Sequence, residues 1–370
     1  MRIATSYKGH FDRTLLLAIL LLIVIGVVMV YSSSSVVAMT TYNDSAFFMK
    51  RQIMWAAFGL AVMAVMMRLD HRLLSDQRVV IALVVVALVL LAATLAPGIG
   101  KMVNGARRWL RFGILSFQPS EFAKFALVVY ISYYAEKKGA RLRDFVNGLV
   151  PAYVLTAAFL IGVALQPDFG SAMTMAGVAG IMLFAGGANT LHLGGTLIAA
   201  LPLVYAAVAH KTYRLRRITA FLNPWDSQDG AGYQIIQSFL AFGSGGVFGR
   251  GLGEGRQKLL FLPERHSDFI YAVIGEELGL LGSLAVVALF LVILWRGVKI
   301  ALASGEPFSR SLALGTTLLV CMQAVINMGV VTGLLPTKGI ALPLVSYGGS
   351  SLVMTMAALG VLLNISRETT

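Results

Sequence analysis

Residues 261–295 read FLPERHSDFIYAVIGEELGLLGSLAVVALFLVILW, a charged segment that runs directly into an apolar one. From Leu278 to Trp295 there are 18 residues without a charge, close to the ~20 that a membrane-crossing helix needs. Two readings of the preceding ten residues stand. If the helix begins at Phe269, Glu276 and Glu277 lie about two turns inside the apolar slab, where an ionised group costs roughly 2.5–3.5 kcal/mol and needs a partner or a water-filled cavity. That cavity would be a site. If the helix begins near Leu278, residues 268–277 are an interfacial lead-in and Asp268 is its N-cap. On both readings Asp268 stands at a membrane–water boundary, after a basic loop and before Phe269-Ile270-Tyr271-Ala272-Val273-Ile274. It is the first functional candidate.

The same alternation of charged loop and apolar run extends along the whole chain. Hydrophobic residues make up 58% of the 370 and charged residues 13%, with mean hydropathy +0.80, which excludes a soluble domain. The expected fold is an all-α polytopic membrane protein, a single membrane domain over 1–370. Ten apolar segments can be marked, near 14–31, 53–67, 79–96, 118–134, 145–165, 169–186, 190–209, 269–295, 309–334 and 342–364. The first resembles a signal peptide ending near Val36-Val37-Ala38, but its apolar core is long and nine segments follow, which favours an uncleaved anchor. An even count puts both termini on one side, and the longest connection is the loop 210–268 between the seventh and eighth segments.

A formal charge of +13 would suggest nucleic acid in a soluble chain. Here the basic residues fall in short loops, where membrane topology and anionic lipid account for them. Cytoplasmic and external loops tie in Lys and Arg until the loop 210–268 is set aside, because long loops are weak topology signals; the remaining count favours a cytoplasmic N-terminus. Lys101, Arg107, Arg108 and Arg111 then cluster on the outer side, which suggests an anionic ligand there. Cys321 is the one cysteine and lies in an apolar run, so neither a disulfide nor a thiolate metal site is available. The five histidines are scattered and no H-e-x-x-H is present, against a His-built zinc site.

Outer loops carry the remaining candidates. Residues 101–124, KMVNGARRWLRFGILSFQPSEFAK, are amphipathic. Pro119 suits the first turn of a helix and Glu121 its positive end; Lys124, three residues on, shares a face with Glu121. That pair is either structural, or Lys124 joins Arg107 and Arg108 as a phosphate clamp. Trp109 is an interfacial anchor or a sugar platform. In Gln166-Pro167-Asp168-Phe169-Gly170, Asp168 is an N-cap or a site residue. The stretch 243–258, GSGGVFGRGLGEGRQK, interleaves glycines with Arg250, Arg256 and Lys258; it is either a flexible loop or a set of exposed N–H groups for a phosphate. It matches no nucleotide motif. Lys338 sits between two prolines, and Ser346 and Ser350 belong to a polar run at the start of the last segment, the expected wall of a cavity.

Together these motifs carry a family likeness. NGARRW, QPSEFAK, QPDFG, FLNPWDSQDGAGYQ, GSGGVFGRGLG, FLPERHSDF, GEELG and LPLVSYGGSS, in this order over residues 104–351, resemble the SEDS family of bacterial cell-wall polymerases. VMVYSSS (28–34), the Phe-Leu-Asn-Pro-Trp run and Leu-Pro-Thr-Lys-Gly (335–339) look more like the family's division branch than its elongation branch. Ser267 departs from the threonine of many relatives and keeps the hydroxyl. The resemblance implies a peptidoglycan glycosyltransferase that joins lipid II units at the outer face of the bacterial inner membrane, at the division septum, with a class B penicillin-binding protein and other division proteins as partners. It also implies that Asp268 is the essential acid and that Trp109 and Glu276 are functional.

The corresponding mechanism has Asp268 as general base on the acceptor 4-hydroxyl, which attacks the donor's anomeric carbon and expels undecaprenyl pyrophosphate with inversion. The leaving group needs charge neutralisation more than protonation. Arg107, Arg108, Lys124, Arg250, Arg256, Lys258 and Lys338 are candidates for it, with a divalent cation, Mg or Mn, as a possible helper; no nucleotide, haem or flavin is expected. A lipid II flippase would use the same basic cavity, but it needs polar residues along a whole path, whereas the intramembrane charges gather at outer helix ends. A noncatalytic division scaffold would need no acid at 268.

Overall fold

The computed structural model describes residues 9–103, 106–112, 115–209, 212–227, 230, 232–255 and 266–369. In chain order the elements are α1 (Arg13–Tyr42), α2 (Phe47–Met66), α3 (Gln77–Leu95), β1 (Gly100–Val103), β2 (Ala106–Phe112), β3 (Leu115–Phe117), α4 (Pro119–Lys138), α5 (Val150–Ala164), α6 (Phe169–Ala185) and α7 (Thr190–Ala209). Then follow α8 (Thr212–Leu222), α9 (Tyr233–Gly245), α10 (Ile270–Glu277), α11 (Gly279–Ala303), α12 (Pro307–Val331) and α13 (Gly349–Ser366). Each apolar segment read from the sequence falls on a helix, the eighth on two. Among the described residues, seven helices are long and apolar enough to cross a membrane: α1, α2, α3, α5 with the turn before it, α11, α12 and α13. α6 and the first part of α7 are shorter apolar helices.

The helical expectation acquires one addition. Residues 100–117 form a three-stranded antiparallel sheet in the order β1-β2-β3, with Lys101 opposite Trp109 and Leu110 opposite Phe117. Ala106 and Leu110 are buried and Arg111 is exposed, and a bulge in β2 shifts the register between Lys101 and Met102. The loop 210–268 is likewise not plain loop, since it holds α8 and α9.

α4, α10, α12 and α13 are the most buried helices, and apolar side chains of α4, α12 and α13, among them Leu127, Ile131, Leu312, Val320, Leu359 and Leu362, belong to one core. Lipid offers apolar side chains no hydrophobic gain over a neighbouring helix, so close backbone approach over small residues has to hold such a bundle. α2 and α13 meet in this way: a Cβ on Gly59 would lie 2.4 Å from Met356 Sδ, and one on Gly360 would lie 2.8 Å from the Met63 carbonyl oxygen. At one end, Arg296 Nε donates to Asp12 at 2.6 Å, Asp12 N donates to Ser366 Oγ at 3.0 Å, and the buried His71 lies between Asn364 and Ser309. Those bonds put the starts of α1 and α12 and the end of α13 together. Asp268 belongs to a different set of loops, which the segment 333–348 ties together.

Candidate functional site

The helix that was ambiguous in sequence is broken. α10 ends at Glu277, Gly279 takes φ +67°, and α11 carries the long apolar run. A break leaves carbonyls of one helix and N–H groups of the next without partners. Residues 246–251 supply both: Arg250 N and Gly251 N donate to the carbonyls of Glu276 and Glu277 at 3.0 Å, and Leu280 N and Leu281 N donate to the carbonyls of Gly246 and Val247. The glycines there are consumed by close approach. A Cβ on Gly245 would sit 2.0 Å from the Gly275 carbonyl oxygen, and one on Gly249 would sit 2.2 Å from that of Glu277. The described part of this stretch is therefore a packing device rather than a phosphate nest, and Arg250 Nε is spent on the Ser244 carbonyl at 3.1 Å. Arg256 and Lys258 lie outside the described residues.

Glu276 and Glu277 are each 1% exposed. Ser32 Oγ donates to both carboxylate oxygens of Glu277, at 2.8 and 2.5 Å. Gly255 lies against the pair, since a Cβ on it would stand 2.9 Å from Glu276 Oε2 and 3.0 Å from Glu277 Oε1. Glu277 thus finds its donor in α1, and the glycine-rich loop packs against both carboxylates.

Asp268 is not an N-cap: the cap of α10 is Phe269, without a side-chain hydrogen bond. Asp268 lies half-buried in the turn before it. Asn327 Nδ2, from α12, donates to the Asp268 carbonyl at 2.8 Å and to the Ile340 carbonyl at 2.6 Å. Ser346 Oγ donates to the Ser267 carbonyl at 2.6 Å, and Tyr347 N to that of His266 at 2.9 Å. The 333–348 segment thus frames Asp268, and Gly339 faces its carboxylate so closely that a Cβ would meet Oδ2 at 2.8 Å.

Next to Gly339 stands Lys338, half-buried, its ammonium against Met173 Sδ. Burial holds that ammonium below the ordinary lysine range; the Asp168 carboxylate pulls the other way, and Arg217 adds to the lowering. Arg217 Nη1 reaches the Thr337 carbonyl at 3.5 Å. Asp168 is the N-cap of α6, accepting from Ser171 N at 3.2 Å and from Ser171 Oγ at 2.8 Å.

The proposed clamp of Arg107, Arg108 and Lys124 is not assembled. Arg108 donates to the Gln166 and Pro167 carbonyls at 2.9 and 2.6 Å, tying β2 to the Asp168 turn. Lys124, 3% exposed, donates to Glu121 Oε1 and Gln323 Oε1, both at 2.8 Å, and Ser351 Oγ donates to Glu121 Oε2 at 3.2 Å. It is a buried ion pair. Arg107 and Trp109 are half-buried on β2. Ser350 Oγ accepts from Gln118 N at 3.2 Å, at the mouth of α4.

Two side chains absent from the sequence candidates connect these parts. Gln323 links Lys124 to the Ala341 carbonyl, and Asn327 links Asp268 to Ile340. Their signal was present: two amides four residues apart in an otherwise apolar stretch of α12, CMQAVINMG. Among the described residues, no group of three or more His, Cys, Asp or Glu could hold a metal ion.

Compared with known proteins, residues 13–370 match a model of the cell cycle proteins FtsW, RodA and SpoVE. The probable peptidoglycan glycosyltransferase FtsW of Geobacter metallireducens is 50% identical over 325 residues, 88% of this chain and 86% of that protein. Stage V sporulation protein E of Bacillus subtilis is 42% identical over 330 residues, 88% of both. Among solved structures, a chain from a peptidoglycan synthase complex that coordinates polymerization and crosslinking superposes with a TM-score of 0.81 at 29% identity, over 97% of this chain and 98% of that one. The rod shape determining protein RodA of Thermus thermophilus gives 0.70 at 28% identity, over 97% of each chain.

Proposed function

The chain belongs to the FtsW, RodA and SpoVE family of cell cycle proteins, and from that premise we infer that it is a peptidoglycan glycosyltransferase, an integral membrane enzyme. Its substrate is lipid II, which it polymerises into glycan strands with release of undecaprenyl pyrophosphate. Asp268 is the general base that takes the proton of the acceptor hydroxyl as that oxygen attacks the donor's anomeric carbon.

What supports this role is the carboxylate's setting. Asp268 is half-buried, its main chain is pinned by Asn327, and its Oδ2 is packed over a residue without a side chain. A general base must be held within hydrogen-bond reach of one proton, and a side chain on such a frame meets that demand better than one on a free loop. Lys338, one residue from Gly339, is placed to neutralise the departing pyrophosphate, while Lys124 and Arg108 act by holding the walls. A divalent cation, Mg or Mn, would add to that neutralisation when bound, and the steps themselves are those of the chain's own side chains. Site and long loop face outward, both termini face the cytoplasm, ten segments cross the membrane, and the chain works at the division septum with a class B penicillin-binding protein.

The test is polymerisation of labelled lipid II by the purified chain with that partner in proteoliposomes. Glycan strands from wild type and none from Asp268→Ala, at matched folding, support the reading. Transbilayer movement of lipid II with no strands from either protein would replace the polymerase by a flippase.

A further inference from the structure

Asn327 is 1% exposed, and its Nδ2 is shared between the carbonyls of Asp268 and Ile340. Both acceptors are carbonyl oxygens, so the amide cannot be turned over without setting oxygen against oxygen. Its Oδ1 is left buried without a hydrogen-bond partner among the described residues. An apolar residue of similar volume would relieve the stranded Oδ1 but would take the donor away from the Asp268 and Ile340 carbonyls, so the amide is there for the bonds to those two carbonyls and not for its bulk. What the amide alone supplies is a fixed distance between two loops. One loop carries the main chain of Asp268; the other carries Gly339, whose missing Cβ makes room for Oδ2 of the same residue. Gln323, one turn earlier on α12, holds the next carbonyl, that of Ala341, at 3.2 Å.

We propose that Asn327 is a positioning residue for Asp268: from the buried face of α12 it sets where the carboxylate lies relative to Gly339, and hence relative to the acceptor hydroxyl. Asn327 does not touch substrate. The inference rests on Asp268 being the base, and its expected size follows from how steeply reaction depends on placement, since about 1 Å of displacement can cost on the order of 10²-fold.

Two variants approach the carboxylate from opposite sides. Asn327→Leu removes the donor and keeps the volume. Gly339→Ala leaves the α12 bonds whole and adds one methyl at an exposed position outside the left-handed region, where alanine fits the backbone but its Cβ meets Oδ2. With full-length chain and its transpeptidase partner polymerising lipid II, both variants should lower kcat about 10–100-fold while KM stays within about threefold. Both should also shift the acid limb of the kcat–pH profile, which loss of folded protein would not move. Gly339→Ala should unfold at the wild-type temperature in detergent. Unchanged kcat and pH profile in both variants overturns the inference if Asp268→Ala is inactive. If Asp268→Ala polymerises as well as wild type, the base assignment fails first and this inference falls with it.

Discussion

Replacing Lys124 by methionine separates a structural ion pair from a substrate clamp. Lys124 and Glu121 are 3% and 8% exposed and 2.8 Å apart, and Gln323 and Ser351 complete their hydrogen bonding. Lys124→Met keeps most of the aliphatic stem and removes the charge, leaving a buried carboxylate without its cation and Gln323 Oε1 without its donor. Breaking one side of such a buried pair costs about 3–5 kcal/mol, whereas replacing both partners by neutral groups of similar size is often near neutral. The double change Glu121→Gln with Lys124→Met should therefore recover most of what the single change loses. The assay is reversible unfolding in mixed micelles, with strand synthesis from lipid II measured on the fraction that stays folded. A single variant within about 1 kcal/mol of wild type would refute the buried-pair account, being far below the expected loss. A double variant as unstable as the sum of the two singles would refute it as well. A phosphate clamp makes the opposite prediction: unchanged stability, with activity lost equally in single and double variants.

Three further outcomes follow from named contacts. Ser32→Ala removes the hydroxyl that donates to both oxygens of Glu277 and should cost about 1.5–3 kcal/mol in the same unfolding assay, the range for a hydrogen bond to a charged group. Gly245→Ala puts a Cβ 2.0 Å from the Gly275 carbonyl oxygen; backbone must shift, and a loss of about 1–3 kcal/mol from overpacking should be seen in the melting of the purified protein. Lys338 has its proton affinity lowered chiefly by burial, so it loses its positive charge at a lower pH than an ordinary lysine. The alkaline limb of kcat/KM should therefore lie below the usual lysine range and move to higher pH in Lys338→Arg, whose guanidinium stays charged; a limb that does not move removes Lys338 from pyrophosphate neutralisation.

Helix positions were legible because each segment is a long apolar run with charges at its ends, a signal that does not depend on what the run packs against. The β-sheet was not, because a bulge interrupts β2 and ARRWLRF carries no sustained period of two. Asp168 could be recognised as a cap from its place before a helix. Arg108 and Lys124 could not be told from phosphate ligands, since their partners are main-chain carbonyls at 166–167 and a glutamine 199 residues away. The helix break at Leu278 was half-visible: two acids ahead of an apolar run imply it, but the loop that satisfies both broken ends comes from residues 246–251. Gln323 and Asn327 share one face of α12 four residues apart, but amides in an apolar helix do not say which main-chain carbonyls they hold. The role of Asn327 appears only when the turn at 268 and the segment at 340 are seen side by side.

The central claim is that Asp268 takes the acceptor's proton. Single-turnover polymerisation of lipid II by Asp268→Asn, compared with wild type at saturating substrate and equal complex with the transpeptidase, tests it most directly. Asparagine keeps the size of the side chain, so lipid II binding should persist while the chemical step slows by about 10²–10⁴-fold, the usual contribution of a positioned base. A rate within about threefold of wild type, far short of that contribution, would contradict the account and return the choice of base to the other acids of the outer loops.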